Sequence, residues 1–329
     1  MIKQIDVDSF LKPMGQGISR PILVMGSDFN SYILKNQRVD HQGNIVNFDC
    51  MFLNELLAYQ IGIFLGVPIP EAAIAYVDGE FIERDPKIRF AYRYEEGYYF
   101  ACAELDDIED NLRENMQLLK QMGKPHINKP WRKFLKDIDN KEDIAKIIAF
   151  DILIGNFDRY TNEGNILVNV TGDLRKISAI DHGHAFWGSM WDMSKMNGLM
   201  SPKMDIKYIN EFIQFMQFNI NGGNLDGLGE IFRALEESID LADLGNHSFM
   251  EVVEKIESIT EEYLDKWLNN IPREWFVDRD KQIGLYKNFI LKQKDLIRHF
   301  IQVLATKKAF ANYTGGELKW KQKSQCGTA

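Results

Sequence analysis

The side chains best suited to act on a substrate are concentrated in one stretch. It runs Phe150-Asp151-Ile152-Leu153-Ile154-Gly155-Asn156-Phe157-Asp158-Arg159-Tyr160-Thr161-Asn162-Glu163-Gly164-Asn165-Ile166-Leu167-Val168, and Ile180-Asp181-His182-Gly183 follows. Asp181 and Asn165 offer hard oxygen atoms. Magnesium takes such donors, commonly one or two carboxylates with the rest supplied by water and phosphate. A carboxylate left off the metal can orient and deprotonate a hydroxyl nucleophile, and Asp158 fits that role. Asp and Asn are also common in turns, where they satisfy local backbone groups. The joint placement separates this cluster from ordinary turns: polar residues stand directly before and after apolar strands, behind an apolar helix. His182 and His184 straddle Gly183, but a zinc pair needs a third ligand that nothing nearby nominates. Arg159 stands in the loop beside Asp158, in position to neutralise it or to contact phosphate.

These residues need particular elements to hold them. Residues 142–154 are apolar on nearly every face, which predicts a buried helix ending at Gly155. A polar loop follows. Asn165–Asn169 and Lys176–Ile180 read as strands around the turn Thr171-Gly172-Asp173. Asn165 opens the first strand and Asp181 closes the second, so both fall at the open end of one hairpin, within reach of a shared ion. Asp158 lies in the loop feeding that end.

Upstream, Pro21–Met25 and Ser31–Lys35 flank Gly26-Ser27-Asp28 and predict another hairpin. Residues 49–66 carry Phe52, Leu53, Leu56, Leu57, Ile61 and Leu65 at helical spacing, with Asp49 as expected cap and Gly66 as stop. Ala72–Val77 and Glu80–Ile82 around Asp78-Gly79 read as a hairpin, and Arg89–Tyr94 as one more strand. Tyr94–Glu104 is expected to join two lobes, with backbone near Phe100–Glu104 facing an adenine edge. Helical stretches are expected near 205–218, 226–241, 247–269 and 280–307. The tail from about 312 is polar and reads as poorly ordered. The fold class is therefore α+β: a β-rich N-lobe over 1–103, a helical C-lobe over 104–311 carrying the catalytic and metal loops, and a polar tail over 312–329.

Bulk properties narrow the function. A chain of 329 residues with formal net charge −9 repels phosphate backbones, so direct nucleic-acid binding is not expected. Cys50, Cys102 and Cys326 are widely spaced and form no C-x-x-C pair, which argues against a disulfide framework or thiolate zinc site and for a reducing, cytoplasmic setting. No apolar run approaches the ~20 residues needed to cross a bilayer, so no membrane partner is expected.

Taken together, Asn156-Phe157-Asp158-Arg159, Asn165-Ile166-Leu167-Val168 and Ile180-Asp181-His182-Gly183 resemble the HipA-like kinases, especially the shorter bacterial HipA-like kinase-domain proteins, and are similar to the phosphatidylinositol-kinase branch of the superfamily. The resemblance covers residues 10–190 and implies a two-lobed kinase-like fold, ATP and Mg2+ as cofactors, Asp158 as catalytic base, and Asn165 and Asp181 as metal ligands. It also implies that Lys35, in Tyr32-Ile33-Leu34-Lys35, holds the ATP phosphates, and that Glu55 pairs with Lys35. Gly15-Gln16-Gly17-Ile18-Ser19-Arg20 lies where a phosphate-covering loop belongs, which brings Gly15, Gly17 and Ser19 into the nucleotide site. The implied acceptor is a Ser or Thr of a protein, with a small-molecule hydroxyl as the other class. A protein partner, an antitoxin among the candidates, belongs to the same implication.

The sequence departs from the usual kinase pattern in two places. Six residues separate Asp158 from Asn165, and three separate it from Asn162, where kinases have about four. Asn162 therefore stays open as the metal ligand, and a catalytically inactive nucleotide- or protein-binding module stays open as the alternative function. His182 replaces the usual phenylalanine after the metal aspartate. Transfer of a nucleotidyl instead of a phosphoryl group is a third reading.

Overall fold

The structure is a computed structural model that describes residues 2–14, 19–41, 44–109, 128–220 and 227–321. Its N-terminal part holds β1 (Lys3–Pro13), β2 (Ile22–Gly26), β3 (Ser31–Leu34), β4 (Arg38–His41), β5 (Asn44–Asn47), helix α1 (Met51–Leu65), β6 (Ala72–Val77), α2 (Gly79–Arg84), α3 (Pro86–Phe90) and β7 (Gly97–Ala103). Strands β1, β2, β3, β7 and β6 close into a barrel in that order. The β1–β6 pair is parallel and the others are antiparallel. The expected β2–β3 hairpin is present, with Val24 opposite Tyr32 and Ile22 opposite Leu34. Those four side chains are fully buried, which pins the register, because a one-residue slip would turn the apolar set outward.

Helix α1 is the main covering element of the barrel and is buried on most sides. It stops where expected. Gly66 takes φ 74°, and the Val67 N–H reaches Gly62 O at 2.9 Å, closing the helix with a left-handed glycine. Its start differs from expectation. Asp49 does not cap α1; its Oδ1 accepts the Trp191 N–H at 2.7 Å, and the Cys50 N–H donates to Ser189 O at 2.8 Å. A distant segment has claimed the residues at the helix entrance.

The expected strand Glu80–Ile82 is helical, and the expected strand Arg89–Tyr94 is the end of a second helix followed by a turn. The Asp78 side chain accepts the Phe81 N–H at 2.6 Å and starts α2, and Asp85 accepts the Lys87 N–H at 2.9 Å to start α3, with Pro86 at its first position. Asp followed by Gly suits a hairpin turn or an N-cap equally well locally. Asp85-Pro86 favours the cap, since proline is pre-set for the first helical turn.

The C-terminal part holds α4 (Asn128–Phe134), α5 (Asp143–Ile154), β8 (Ile166–Thr171), β9 (Leu174–Ala179), α6 (Met193–Met200), α7 (Ile206–Ile220), α8 (Gly229–Leu235), α9 (Met250–Glu257), α10 (Glu261–Asn269) and α11 (Arg279–Thr306). The β8–β9 hairpin turns at Gly172 with φ 64°. Helix α11 runs against α5, α6, α7, α9 and α10 and forms the spine of this lobe. The stretch 247–269 is two helices where one was expected. Thr260 caps the second through the Tyr263 N–H at 3.3 Å, and the Lys294 ammonium satisfies the carbonyls of Glu257 and Ile259 at the break. The stretch 226–241 is shorter than expected: α8 passes into a 3-10 turn at Glu236–Ser238.

The tail is ordered further than its polarity suggests. Leu318 is buried, the Lys319 N–H donates to Leu244 O at 2.8 Å, and the Trp320 ring meets His247 edge-on at 4.6 Å. Two apolar anchors spaced among lysines dock the segment up to 321.

Candidate active site

Lys35 follows β3 directly, and its N–H donates to Phe100 O at 3.1 Å on the neighbouring strand. That bond fixes the backbone and sends the side chain into the space between barrel and helical lobe. There Nζ meets Glu55 Oε1 and, at 3.0 Å, Asp181 Oδ1. Glu55 lies on the buried side of α1, and its second oxygen accepts the His182 N–H at 3.1 Å. One carboxylate therefore links the barrel lysine to the loop that carries Asp181. Burial opposes both charges. The charges of Asp181 and Glu55 outweigh it and hold the Lys35 pKa above its ordinary value. Lys35 and His182 likewise outweigh it and hold Glu55 below the usual carboxylate range.

Asp181 sits two residues past β9 with φ 60°, a left-handed conformation rare outside glycine. Two residues on, Gly183 passes close to α1. A Cβ there would lie 2.6 Å from Met51 Cγ, so the glycine of Asp181-His182-Gly183 is required by space. His182 is buried against Phe150 at 5.4 Å, and burial pushes its imidazole pKa down. His184 packs edge-on against Phe48. The two histidines face different neighbours, and no cluster of three or more His, Cys, Asp or Glu that could hold a metal occurs among the described residues.

Asp158 opens a 3-10 turn after α5, and its Oδ2 accepts the Asn165 Nδ2 proton at 2.7 Å. The Ile180 N–H donates to Asn165 O at 3.1 Å, across the open end of the β8–β9 hairpin. Asp158, Asn165 and Asp181 thus converge at one end of one hairpin. Asn162 behaves differently: it is exposed, and its Oδ1 accepts the Gly164 N–H at 3.0 Å to cap the turn before β8.

Arg159 corrects the sequence expectation. It does not turn towards Asp158 or the cleft. It is fully buried; its Nε donates to Asp151 Oδ2 at 2.8 Å and its Nη1 to the carbonyls of Asn165 at 2.5 Å and Ile180 at 3.0 Å. The guanidinium ties α5 to both strands of the hairpin. Its partner Asp151 is a functional residue that the motifs above do not single out. The signal was a lone carboxylate inside an apolar helix, which must find a cation when buried.

A cleft of about 560 Å³ lies between the lobes, within the range of roughly 300–1,000 Å³ usual for small-molecule sites. Ile33, Ala72 and Cys102 line it from the barrel, Ile166 and Ile180 from the hairpin, and Lys35, Glu55, Asn165 and Asp181 give it a polar end. Burial pushes the Cys102 thiol up to about 11, so it is a neutral, apolar wall at neutral pH. Ser19 is at the cleft wall, whereas Gly15 and Gly17 lie outside the described residues. The stretch Phe100–Glu104 completes the barrel edge. The Ala103 and Glu104 N–H groups are committed to Glu71 O at 2.7 Å and Ser31 O at 3.0 Å and are not turned to an adenine.

The HipA-like kinase family matches residues 7–218, close to two thirds of the chain. The chain belongs to the HipA-like kinase family. All of the cleft residues above fall within the matched span. The fold of this HipA-like kinase is shared with the proinflammatory kinase CtkA of Helicobacter pylori, at TM-score 0.53 and 17% identity over 94% of this chain and 98% of that one. HipA of Shewanella oneidensis MR-1, in a toxin–antitoxin complex with HipB and operator DNA, is similar at TM-score 0.41 and 11% identity over 89% of this chain and 67% of that one. No curated protein matches the chain. Among the described residues, no helix is long and apolar enough to cross a membrane.

Proposed function

We propose that this HipA-like kinase transfers the terminal phosphoryl group of ATP to a hydroxyl, a Ser or Thr of a protein, with magnesium. The observation that carries this is the bridge from Lys35 to Glu55 and Asp181 at the polar end of the cleft, beside Asp158 bonded to Asn165. The donor set suits magnesium. Asp181 gives one carboxylate, and Asn165, whose amide nitrogen is taken by Asp158, gives its amide oxygen; the remaining positions of a magnesium ion are usually water and phosphate. Bound there, the ion would neutralise charge on the phosphate oxygens.

The chain's own residues do the rest. Lys35 lies where its ammonium can bind phosphate oxygens, and Glu55 steadies it from the buried side. Asp158, half-buried at the site's edge, accepts the proton of the acceptor hydroxyl and orients its oxygen for attack. Its hydrogen bond from Asn165 keeps the carboxylate beside the metal position. The apolar barrel wall accepts a flat base. Rate gain comes from positioning and charge neutralisation. The free thiols Cys50 and Cys102 suit a reducing cytoplasm.

Asp158→Ala should retain Mg-ATP binding in a thermal-shift titration and lose at least about a hundredfold in phosphate transfer, the lower range for a general base. A fully active variant refutes the role. Nucleotide binding by the wild-type protein with no transfer to itself or to any acceptor would favour a nucleotide-binding module. Intact-mass analysis of the product separates a phosphoryl from an adenylyl adduct.

A further inference from the structure

The chain after Asp181 passes through three successive residues with positive φ: Phe186 at 54°, Trp187 at 67° and Gly188 at 114°. Non-glycine residues persist in that region only when their surroundings hold them. The carbonyls of this segment point inward. Those of Gly183, Ala185 and Gly188 accept from Asn54 Nδ2 at 2.7, 3.0 and 2.9 Å. Those of Phe186 and Gly188 accept from Lys195 Nζ at 2.7 and 2.6 Å. Lys195 also reaches Asn54 Oδ1 at 3.3 Å, and the Tyr286 hydroxyl donates to that same oxygen at 2.6 Å. Asn54, Lys195 and Tyr286 are all fully buried. A buried ammonium is costly unless paired or fully hydrogen-bonded, and none of these acceptors of Lys195 is a carboxylate. The Tyr286 ring, with its centroid 5.1 Å from Nζ, adds a cation–π contact.

The connections of this network reach both sides of the reaction centre. Asn54 and Glu55 are consecutive on α1, and they hold the segment and the Lys35–His182 pair respectively. Trp187 lies against Gly198 of α6, where a Cβ would come within 2.3 Å of its ring. Its other contacts include Phe157 at 5.4 Å, the residue before Asp158.

We propose that Asn54, Lys195 and Tyr286 form a buried clasp of positioning residues, which bolts segment 183–188 to α1 and so sets Asp181 and Asp158 relative to Lys35 and Glu55. Its catalytic consequence rests on the phosphotransfer reading above; its conformational consequence does not. Lys195 donates to main-chain carbonyls of the segment, so the side chains that matter to the clasp are Phe186, whose ring meets Tyr286 at 5.2 Å, and Trp187. Asn54 joins the parts by hydrogen bonds, donating to three carbonyls of the segment through Nδ2 and accepting from Lys195 and Tyr286 through Oδ1.

Lys195→Met keeps most of the side-chain volume and removes the ammonium. Tyr286→Phe removes only the hydroxyl on Asn54. Hydrogen exchange on the nucleotide-free protein should accelerate at amides 182–189 by about tenfold or more in Lys195→Met, with 143–154 in α5 unchanged. The magnesium concentration for half-maximal transfer from ATP should rise by about tenfold, as for other groups that orient metal ligands, while ATP binding without metal is unchanged. Wild-type exchange at 182–189 in the folded variant overturns the proposal, as does equal acceleration in α5, which would mean a purely global effect. If Lys195→Met does not fold, Tyr286→Phe decides by the same exchange pattern. If the wild-type protein transfers no phosphate, the phosphotransfer reading falls and the exchange experiment still decides the clasp.

Discussion

At the scale of single residues, charge placement decides what this molecule can do. Lys35 and Arg159 are both cations read from sequence as near the site, and they have opposite fates. Lys35 reaches the cleft, while Arg159 turns inward to Asp151 and becomes structural. Lys195 is a third case, with no carboxylate bonded to it. Burial pushes its ammonium down to about 8, against the negative charges of Asp192 and Asp49; the Cys50 thiol and the Tyr286 phenol beside it are pushed up by burial and carry no charge near that pH. The ordinary value, 10.5, applies to the unfolded chain. Between about 8 and 10.5 the unfolded state therefore binds the extra proton, and stability must rise with pH across that window. Catalysis should fall over the same range, since a neutral amine has one proton fewer for its three acceptors. Urea midpoints against pH, wild type minus Lys195→Met, would show the positive slope; a flat difference would contradict it.

At the scale of elements, the site depends on how close α1 comes to the loop after β9. Gly183 permits that approach. Gly183→Ala places a methyl 2.6 Å from Met51 Cγ, and overpacking of this kind costs about 1–3 kcal/mol. Because the same loop carries Asp181, activity should drop further than stability explains. A urea curve and a transfer assay on the same preparation measure both; unchanged activity would show that the loop can yield without moving Asp181. Elements were legible from sequence where the pattern admitted one reading. The long apolar run of α5 and the two strand runs around Thr171-Gly172-Asp173 did so. Asp78-Gly79 did not, because an aspartate can close a turn or cap a helix with the same bond. The break between α9 and α10 was hidden for another reason: Lys294, which satisfies the exposed carbonyls, comes from a helix far along the chain.

At the scale of the whole molecule, helix α1 holds the two lobes together, meeting β7 of the barrel on one side and α5, α9 and α10 of the helical lobe on the other, with the cleft between the lobes. The C-terminal segment closes the helical lobe from outside. Leu318 is 2% exposed, and removing such a side chain to alanine costs about 2–5 kcal/mol. Leu318→Ala should therefore lower the urea midpoint clearly while leaving Mg-ATP affinity unchanged. A null effect on stability would mean the segment does not dock in solution.

Residue types and their order were enough to place Asp158, Asn165 and Asp181 at one hairpin end, because hairpin geometry brings strand termini together whatever surrounds them; the kinase-like fold was what the family resemblance implied. Pairing Lys35 with Glu55 needed the family resemblance, since local pattern cannot say which buried carboxylate meets which lysine. Packing alone determined the rest: Arg159 turned away from the cleft, Asp49 given to Trp191, and Asn54 joined to Lys195 and Tyr286. Those partners lie up to 232 positions apart. A buried polar group is satisfied by whatever donor or acceptor the folded chain brings beside it, and no local period encodes that choice.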